Sequence, residues 1–218
     1  MAALTLLTLG EVPEPAMAPL AAHCDAVVRV PVAMPPDAPL AAHRDAVNAA
    51  IDAAPHDWLL IVRESESIDD ELAREIAAAT VDNARAWGFR IRTIRFHAAH
   101  PLDLGSARRD GGEVRLFHKR HYLRFANRGA WDEINVQGTV VRLANALRHE
   151  RFESVAAHRA WLTAHGTPQP FPRRVLLFLR AALQARTIDR NTLRFLWMEA
   201  GWGDRLEVIE NEKLKIEN

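Results

Sequence analysis

The segment Asp57-Trp58-Leu59-Leu60-Ile61-Val62-Arg63-Glu64-Ser65-Glu66-Ser67-Ile68 sets charged and hydroxyl groups directly behind a short apolar run. Such a run reads as a buried parallel strand. The polar residues that end it then fall at the C-terminal edge of a sheet, where open α/β sheets take their ligands. Glu64 and Glu66 are two apart, so an extended backbone turns both carboxylates to one side, a geometry that could clasp a divalent cation. Arg63 offers a different chemistry, because a guanidinium can hold a diphosphate bidentately without any metal. A solvated surface turn is the third reading of the same residues.

A second concentration of charge lies downstream. Residues 64–75 carry six acids against one Arg, whereas residues 85–128 carry eleven Lys or Arg against Asp103, Asp110 and Glu113, with four His added. A local basic field of that size would attract phosphate or an anionic saccharide. A solvated, arginine-rich face fits the pattern equally well. Arg115, His118 and Lys119 fall inside it, in a stretch that also reads as an edge strand protected by charge. His149, near the expected start of a helix, reads as a structural hydrogen-bonding group or as a phosphate or metal contact.

Positioning these groups requires an alternation of strands and helices. Ala2–Leu9, Ala26–Val32 and Trp58–Val62 are short apolar runs bounded by Gly or Pro and read as strands. Helical periods follow at roughly 38–54, with Asp37 as a candidate N-cap, and at roughly 69–87, capped by Ser67 or Asp69. Phe89–Phe96, Glu113–Phe117, His121–Phe125 and Val136–Leu143 read as further strands. Beyond Ala144 the pattern becomes helical, in segments near 150–165, 173–186 and 190–201. The expected architecture is an α/β domain over residues 1–145 with parallel strands, an added mixed or antiparallel part, and a helical C-terminal extension over 146–218.

Composition narrows the class. The chain has 218 residues, 49% of them hydrophobic, and a formal charge of zero, so no overall field favours nucleic acid or an acidic membrane. One cysteine, Cys24, excludes an internal disulfide and any multi-cysteine metal site. No basic n-region precedes the first apolar stretch, and no run approaches the ~20 apolar residues that span a bilayer. A soluble, cytoplasmic protein is expected.

Four segments in order resemble the family 2 glycosyltransferases. They are Asp57–Ile68 with Asp70-Glu71-Leu72 behind it, Val114-Arg115-Leu116-Phe117-His118-Lys119, Ala130-Trp131-Asp132 with Gly138 and Leu143 after it, and Leu147-Arg148-His149-Glu150-Arg151-Phe152-Glu153-Ser154. The pattern is closest to enzymes that build lipopolysaccharide core or surface polysaccharide. The resemblance implies a GT-A-like (nucleotide-diphospho-sugar transferase) mixed sheet flanked by helices, a nucleotide-sugar donor and a saccharide or glycolipid acceptor. It also implies transfer with inversion, with Asp132 as the base and Glu133 beside it. Arg63, Glu66, Arg115, His118, Lys119 and His149 become substrate or phosphate contacts. An exposed Trp131, Trp197 or Trp202 could stack on a pyranose.

The chain departs from the family where the family binds its metal. Arg63 and Ser65 stand in place of the two aspartates of the Asp-x-Asp motif. No tight metal site is therefore expected at 63–66; Glu64 and Glu66 are the remaining candidates for Mg²⁺ or Mn²⁺. The loop after the second strand also lacks the family's Asp-rich turn. The alternative reading is a family member that has lost catalysis and serves as a binding or assembly subunit. Donor, acceptor and oligomeric state are not legible in the sequence.

Overall fold

The computed structural model describes residues 2–31, 43–81, 86–102, 112–123, 134–150, 152, 154–165, 170–184 and 189–201. The chain divides into two units. The first comprises Met1–Thr93 and Arg108–His149, the second Ile94–Ala107 and Glu150–Asn218.

The first unit is built on a mixed sheet. Three parallel strands, β1 (Leu4–Leu9), β2 (Ala26–Val30) and β3 (Trp58–Arg63), lie in the order β2-β1-β3. β7 (Glu113–His118) then pairs antiparallel to β3, with Trp58 opposite His118 and Leu60 opposite Leu116. The sheet continues through β5 (Gly88–His97) and β10 (Val140–Glu150) to the two-residue β4 (Glu66–Ser67). A separate short ladder joins β8 (Tyr122–Leu123) to β9 (Asn135–Val136).

Why these residues form a buried parallel core is visible in the strands. All six residues of β1 are buried, as are the first five of β3, so neither strand shows a polar face. Their side chains divide by the pleat. Leu4, Leu6, Trp58, Leu60 and Val62 join one core with Leu72 and Ile76 of α3 (Asp70–Val81). Leu7, Leu9, Leu59 and Ile61 join another with Val47 and Ile51 of α2 (Arg44–Ala53). The result is a sheet with helices on both faces. Each fully buried leucine in it contributes about 1.5–3 kcal/mol. Of the two expected caps for α3, Asp69 is the one that accepts a bond, from Leu72 N at 2.8 Å. The expected cap Asp37 lies outside the described residues.

β10 differs from expectation. The sequence beyond Ala144 reads as helix, yet the strand runs to Glu150. Only Leu143 and Leu147 of this strand are buried, and their spacing of four mimics a helical period. Gly138, at φ +113°, sits where an added Cβ would come within 2.6 Å of the Trp87 ring.

The second unit joins a tight hairpin to three helices. The end of β5 turns at Ala98-Ala99 into β6 (His100–Leu102). Both turn alanines have positive φ, 50° and 65°. A side chain there costs about 1–2 kcal/mol per residue. Hydrogen bonds hold the turn: Ala98 N donates to Phe152 O at 3.2 Å and Ala99 N to Glu150 Oε1 at 2.7 Å. The helices are α4 (Val155–His165), α5 (Phe171–Gln184) and α6 (Arg190–Ala200). Ser154 caps α4 through Ala157 N, and Asp189 caps α6 through Thr192 N. α5 meets α6 around Trp197, with Phe178 edge-on at 5.3 Å and the Arg174 guanidinium over the ring at 4.1 Å. α1 (Glu14–Met17) is a single turn in the first unit, and no helix of the described residues is long and apolar enough to cross a membrane.

Candidate functional site

The C-terminal end of β3 gathers the polar residues that the sequence places at the sheet edge. Arg63 closes the strand, and the chain turns through Glu64 and Ser65 into β4. Glu64 N donates to Leu9 O at 2.9 Å, which ties the turn to the end of β1. Glu64 itself is exposed, whereas Glu66 is only 1% exposed. The Glu66 carboxylate folds back over the turn, and Oε2 accepts Arg63 N at 2.9 Å.

A buried guanidinium lies opposite. Arg115 on β7 is fully buried; its Nη2 stands 3.1 Å from Glu66 Oε1 and 2.8 Å from Glu113 Oε2. Glu113 also meets Arg63 Nη2 at 3.4 Å. Four charges of alternating sign thus run Glu66–Arg115–Glu113–Arg63, from the interior toward the Arg63 and Glu113 side chains, which are 13% and 32% exposed. Burial opposes the charge on Arg115, but Glu66 and Glu113 outweigh it and raise its pKa. Arg115 Nε is buried without a hydrogen-bond partner, a cost that the bonds at the two terminal nitrogens offset.

His149 joins this end of the sheet. β10 pairs antiparallel to β4, and the register sets His149 opposite Glu66 and Arg148 opposite Ser67. Arg63, Glu66, Arg115 and His149 therefore come together. His118 and Lys119 do not join them. They lie at the other end of β3, where His118 is the register partner of Trp58. That is five residues along the strand from Arg63, roughly 16 Å at ~3.3 Å per residue. Lys119 Nζ donates to Ala54 O at 2.7 Å, and Arg120 pairs with Asp57 at 2.9 Å. His118 sits edge-on to Trp58 and Trp87, while His121 stacks on Trp87 at 3.8 Å. Burial, followed by the neighbouring His121, Arg120 and Lys119, lowers the His118 pKa against the pull of Asp57. An open hollow of about 280 Å³ beside Ile51, Asp52, Lys119 and Tyr122 lies at this end too, away from Arg63.

Asp132 and Glu133, together with Trp131 and Trp202, lie outside the described residues. Among the described residues no three His, Cys, Asp or Glu side chains are grouped as a metal ion requires. Both Glu66 oxygens are already engaged, and Glu64 and Glu66 differ in burial, so the two carboxylates do not present one open face. Cys24 is half-buried with Sγ 3.1 Å from Ala26 O, and burial raises its pKa, as suits a packed thiol rather than a nucleophile.

The second unit holds a polar chain that sequence reasoning missed. His97 Nε2 lies 3.0 Å from His158 Nδ1, and His158 Nε2 lies 2.7 Å from Glu199 Oε1. The three residues are 3%, 0% and 7% exposed. Phe152 stacks on the His158 ring at 4.3 Å, and Phe195 stacks on the same ring at 5.4 Å. With the carboxylate as acceptor, His158 Nε2 carries the proton, and Nδ1 is left to accept from His97 Nε2–H. Burial and His158 push the His97 pKa down, Arg194 adds to this, and Glu199 and Glu150 pull the other way. Nothing in the sequence marks this chain, because its members are separated by 61 and 41 residues.

No protein-family model matches the sequence, and no curated protein sequence matches it. Among solved structures the chain is similar to S. aureus TarS 1-349, at 10% identity and a TM-score of 0.40, over 100% of this chain and 76% of that one. A likeness of that size bears on neither activity nor site.

Proposed function

We propose that this chain is a glycosyltransferase-like protein that binds a nucleotide sugar over the C-terminal edge of β1, β2 and β3 without a metal at 63–66. The observation that carries the reading is Arg63. It ends a parallel strand at the position where the resembling family keeps a metal-binding aspartate, and with Glu113 beside it the guanidinium stands at the sheet edge over which a diphosphate would lie. The parallel order β2-β1-β3 with antiparallel β7 beside it supports the GT-A-like reading of the sheet.

The chemistry follows from the charges. In a transfer with inversion the acceptor hydroxyl oxygen bonds to the anomeric carbon, and the bond from that carbon to the diphosphate oxygen breaks. Negative charge grows on the departing nucleoside diphosphate. Arg63 offsets it by charge-assisted hydrogen bonds, the task a divalent cation otherwise performs. Glu113 holds the guanidinium from the side, and Glu66 fixes the backbone of Arg63. His149, opposite Glu66, is a second phosphate contact in this reading. The acceptor proton goes to Asp132, with Glu133 as its neighbour, a role that rests on the resemblance. The acceptor is a saccharide or glycolipid, and the setting is cytoplasmic.

A second reading has its own support. Glu66 and Arg115 have side chains only 1% exposed and satisfy each other, so most of the motif's charge is spent inside the protein. That favours a degenerate scaffold acting as a binding or assembly subunit. Calorimetric titration with uridine and guanosine diphosphate sugars, with Mn²⁺ and with a chelator, separates the two. Binding that persists in chelator and is lost in Arg63→Ala supports the first reading; no binding of any nucleotide sugar puts the second in its place. For a binding chain, Asp132→Asn should lower turnover by about 10²-fold or more with donor affinity unchanged.

A further inference from the structure

The histidine chain of the second unit ties a strained turn to two helices. His97 ends β5, His158 lies on α4 and Glu199 on α6. Directly after His97 come Ala98 and Ala99, whose positive φ values of 50° and 65° are unfavourable for residues that carry a Cβ. Such a turn persists only where its surroundings hold it. Ala98 N donates to Phe152 O, and Phe152 in turn stacks on His158. Loosening His158 therefore loosens a support of the turn.

Geometry sets how many protons the chain can take. His158 Nε2 donates to Glu199, and the 3.0 Å between His158 Nδ1 and His97 Nε2 admits one hydrogen, not two. One proton beyond the neutral rings fits. Either ring can donate across the gap, and the Glu199 carboxylate balances the charge. A second proton makes both rings imidazolium, which only donates, so two N–H groups face each other. It also leaves a net positive charge among three buried side chains. The surroundings do not absorb that charge. Arg194 on α6 opposes it, and Arg95 lies two residues back on β5. Glu150 favours it but already accepts Ala99 N, and His100, opposite His97 in the hairpin, is exposed. Burial and His158 outweigh the two carboxylates and lower the His97 pKa. The closed arrangement is therefore at full strength above about 6.5, the ordinary histidine value, and weakens as pH falls below it.

We propose that His97, His158 and Glu199 form an acid-opened latch, which stays closed with one added proton and releases the Ala98-Ala99 hairpin from α4 and α6 when a second enters. Opening relieves the strain of the turn and lets both charged rings reach water, so the open form is the one that takes up the proton. The event is local to the second unit. It uses no residue of the first and is independent of the nucleotide-sugar reading.

Hydrogen exchange of the whole protein, read by mass spectrometry near pH 7.5 and pH 5.5 with labelling times scaled to the intrinsic rate at each pH, tests it. Peptides covering residues 95–102 and α4 should lose protection about tenfold or more at the lower pH, while those of β1 and β3 keep theirs. His97→Gln supplies an amide that can donate to His158 or, turned over, accept from it, and that never takes a charge. Its folded form should stay protected at both pH values. Glu199→Gln removes the balancing charge, so opening should begin at a higher pH than in the wild type. Thermal melting checks that each variant is folded. Where His97→Gln is not, the ring ¹⁵N shifts of the wild-type histidines decide, since they count the protons on each ring as pH falls. Equal protection of residues 95–102 at both pH values overturns the proposal, as does a loss shared equally by β1 and β3. So does a loss that persists in folded His97→Gln, an unmoved opening in folded Glu199→Gln, or a hairpin still protected when both rings are charged.

Discussion

The two units solve the burial of polar groups in different ways. In the first, Glu66, Arg115, Glu113 and Arg63 form a lattice of full charges whose inner members are only 1% exposed. In the second, Glu199, His158 and His97 form a hydrogen-bonded chain inside an aromatic box. The lattice joins carboxylates to guanidiniums, so its links are ion pairs. The histidine chain joins two imidazoles to one carboxylate, and burial lowers the pKa of His97 at its far end. The comparison teaches that polar groups of equal burial can be satisfied by opposed full charges or by a relay of hydrogen bonds, and that the two differ in what one substitution leaves behind, an unpaired charge or an unmade bond.

The largest effect should come from cutting the lattice at its centre. Arg115→Met leaves Glu66 and Glu113 without their shared cation and should destabilise the first unit by about 3–5 kcal/mol, read as a shift in the denaturant midpoint. Combining it with Glu66→Leu should recover most of that loss, because a buried pair replaced by apolar groups is often neutral. Failure of the double variant to recover would mean that the lattice does more than satisfy itself.

A smaller loss is expected in the histidine chain. Glu199→Gln preserves shape but weakens the bond to His158, and should cost about 1–3 kcal/mol by the same measurement. A loss as large as that of Arg115→Met would erase the distinction drawn between the two networks.

The pH response sharpens the contrast further. His97 and His118 both have lowered pKa values in the folded chain, mainly through burial. Between the folded value and the ordinary 6.5 the unfolded chain binds more protons, so stability rises with pH across that window and falls as pH drops through it. Denaturation midpoints near pH 7.5 and pH 5.5 should therefore differ, and His97→Phe should flatten part of the difference. An unchanged slope would show that His97 is not a source of it. As the smallest effect, Glu11→Ala should change stability by less than about 0.5 kcal/mol, since Arg29 and Glu11 meet at 3.2 Å with side chains 66% and 83% exposed.

The parts of the fold legible in the sequence are those with an unambiguous period. β1, β2 and β3 show as short apolar runs between turn residues, and their parallel pairing follows from the helices between them. The hairpin at Ala98-Ala99 is illegible because alanine carries no preference for positive φ, so no turn signal is written there. β10 is hidden by the spacing of Leu143 and Leu147. At the candidate site, the sheet-edge position of Arg63 follows from the strand before it. The inward turn of Glu66 does not, because the cation that draws it in is 49 residues away on β7. A sequence assigns a carboxylate to solvent by default, and only the assembled sheet reveals that Arg115 is buried beside it. The separation of His118 and Lys119 from Arg63 is equally a product of strand direction, since β7 runs antiparallel to β3.

The division of the chain into two discontinuous units has a consequence for how the protein is made. Ile94–Ala107 belongs to the second unit but is enclosed in sequence by the two pieces of the first. During synthesis β1, β2 and β3 can pair early, yet β4 waits for its partner until His149 has left the ribosome. His97 waits longer, because its chain to Glu199 closes only after α6 has emerged. Contacts of such long sequence separation form late and slowly, so the nascent chain must pass through a stage in which the Ala98-Ala99 hairpin has no helices to rest on. A cut after His149 would keep every residue of the first unit but split the second, leaving Ile94–Ala107 behind without its helices.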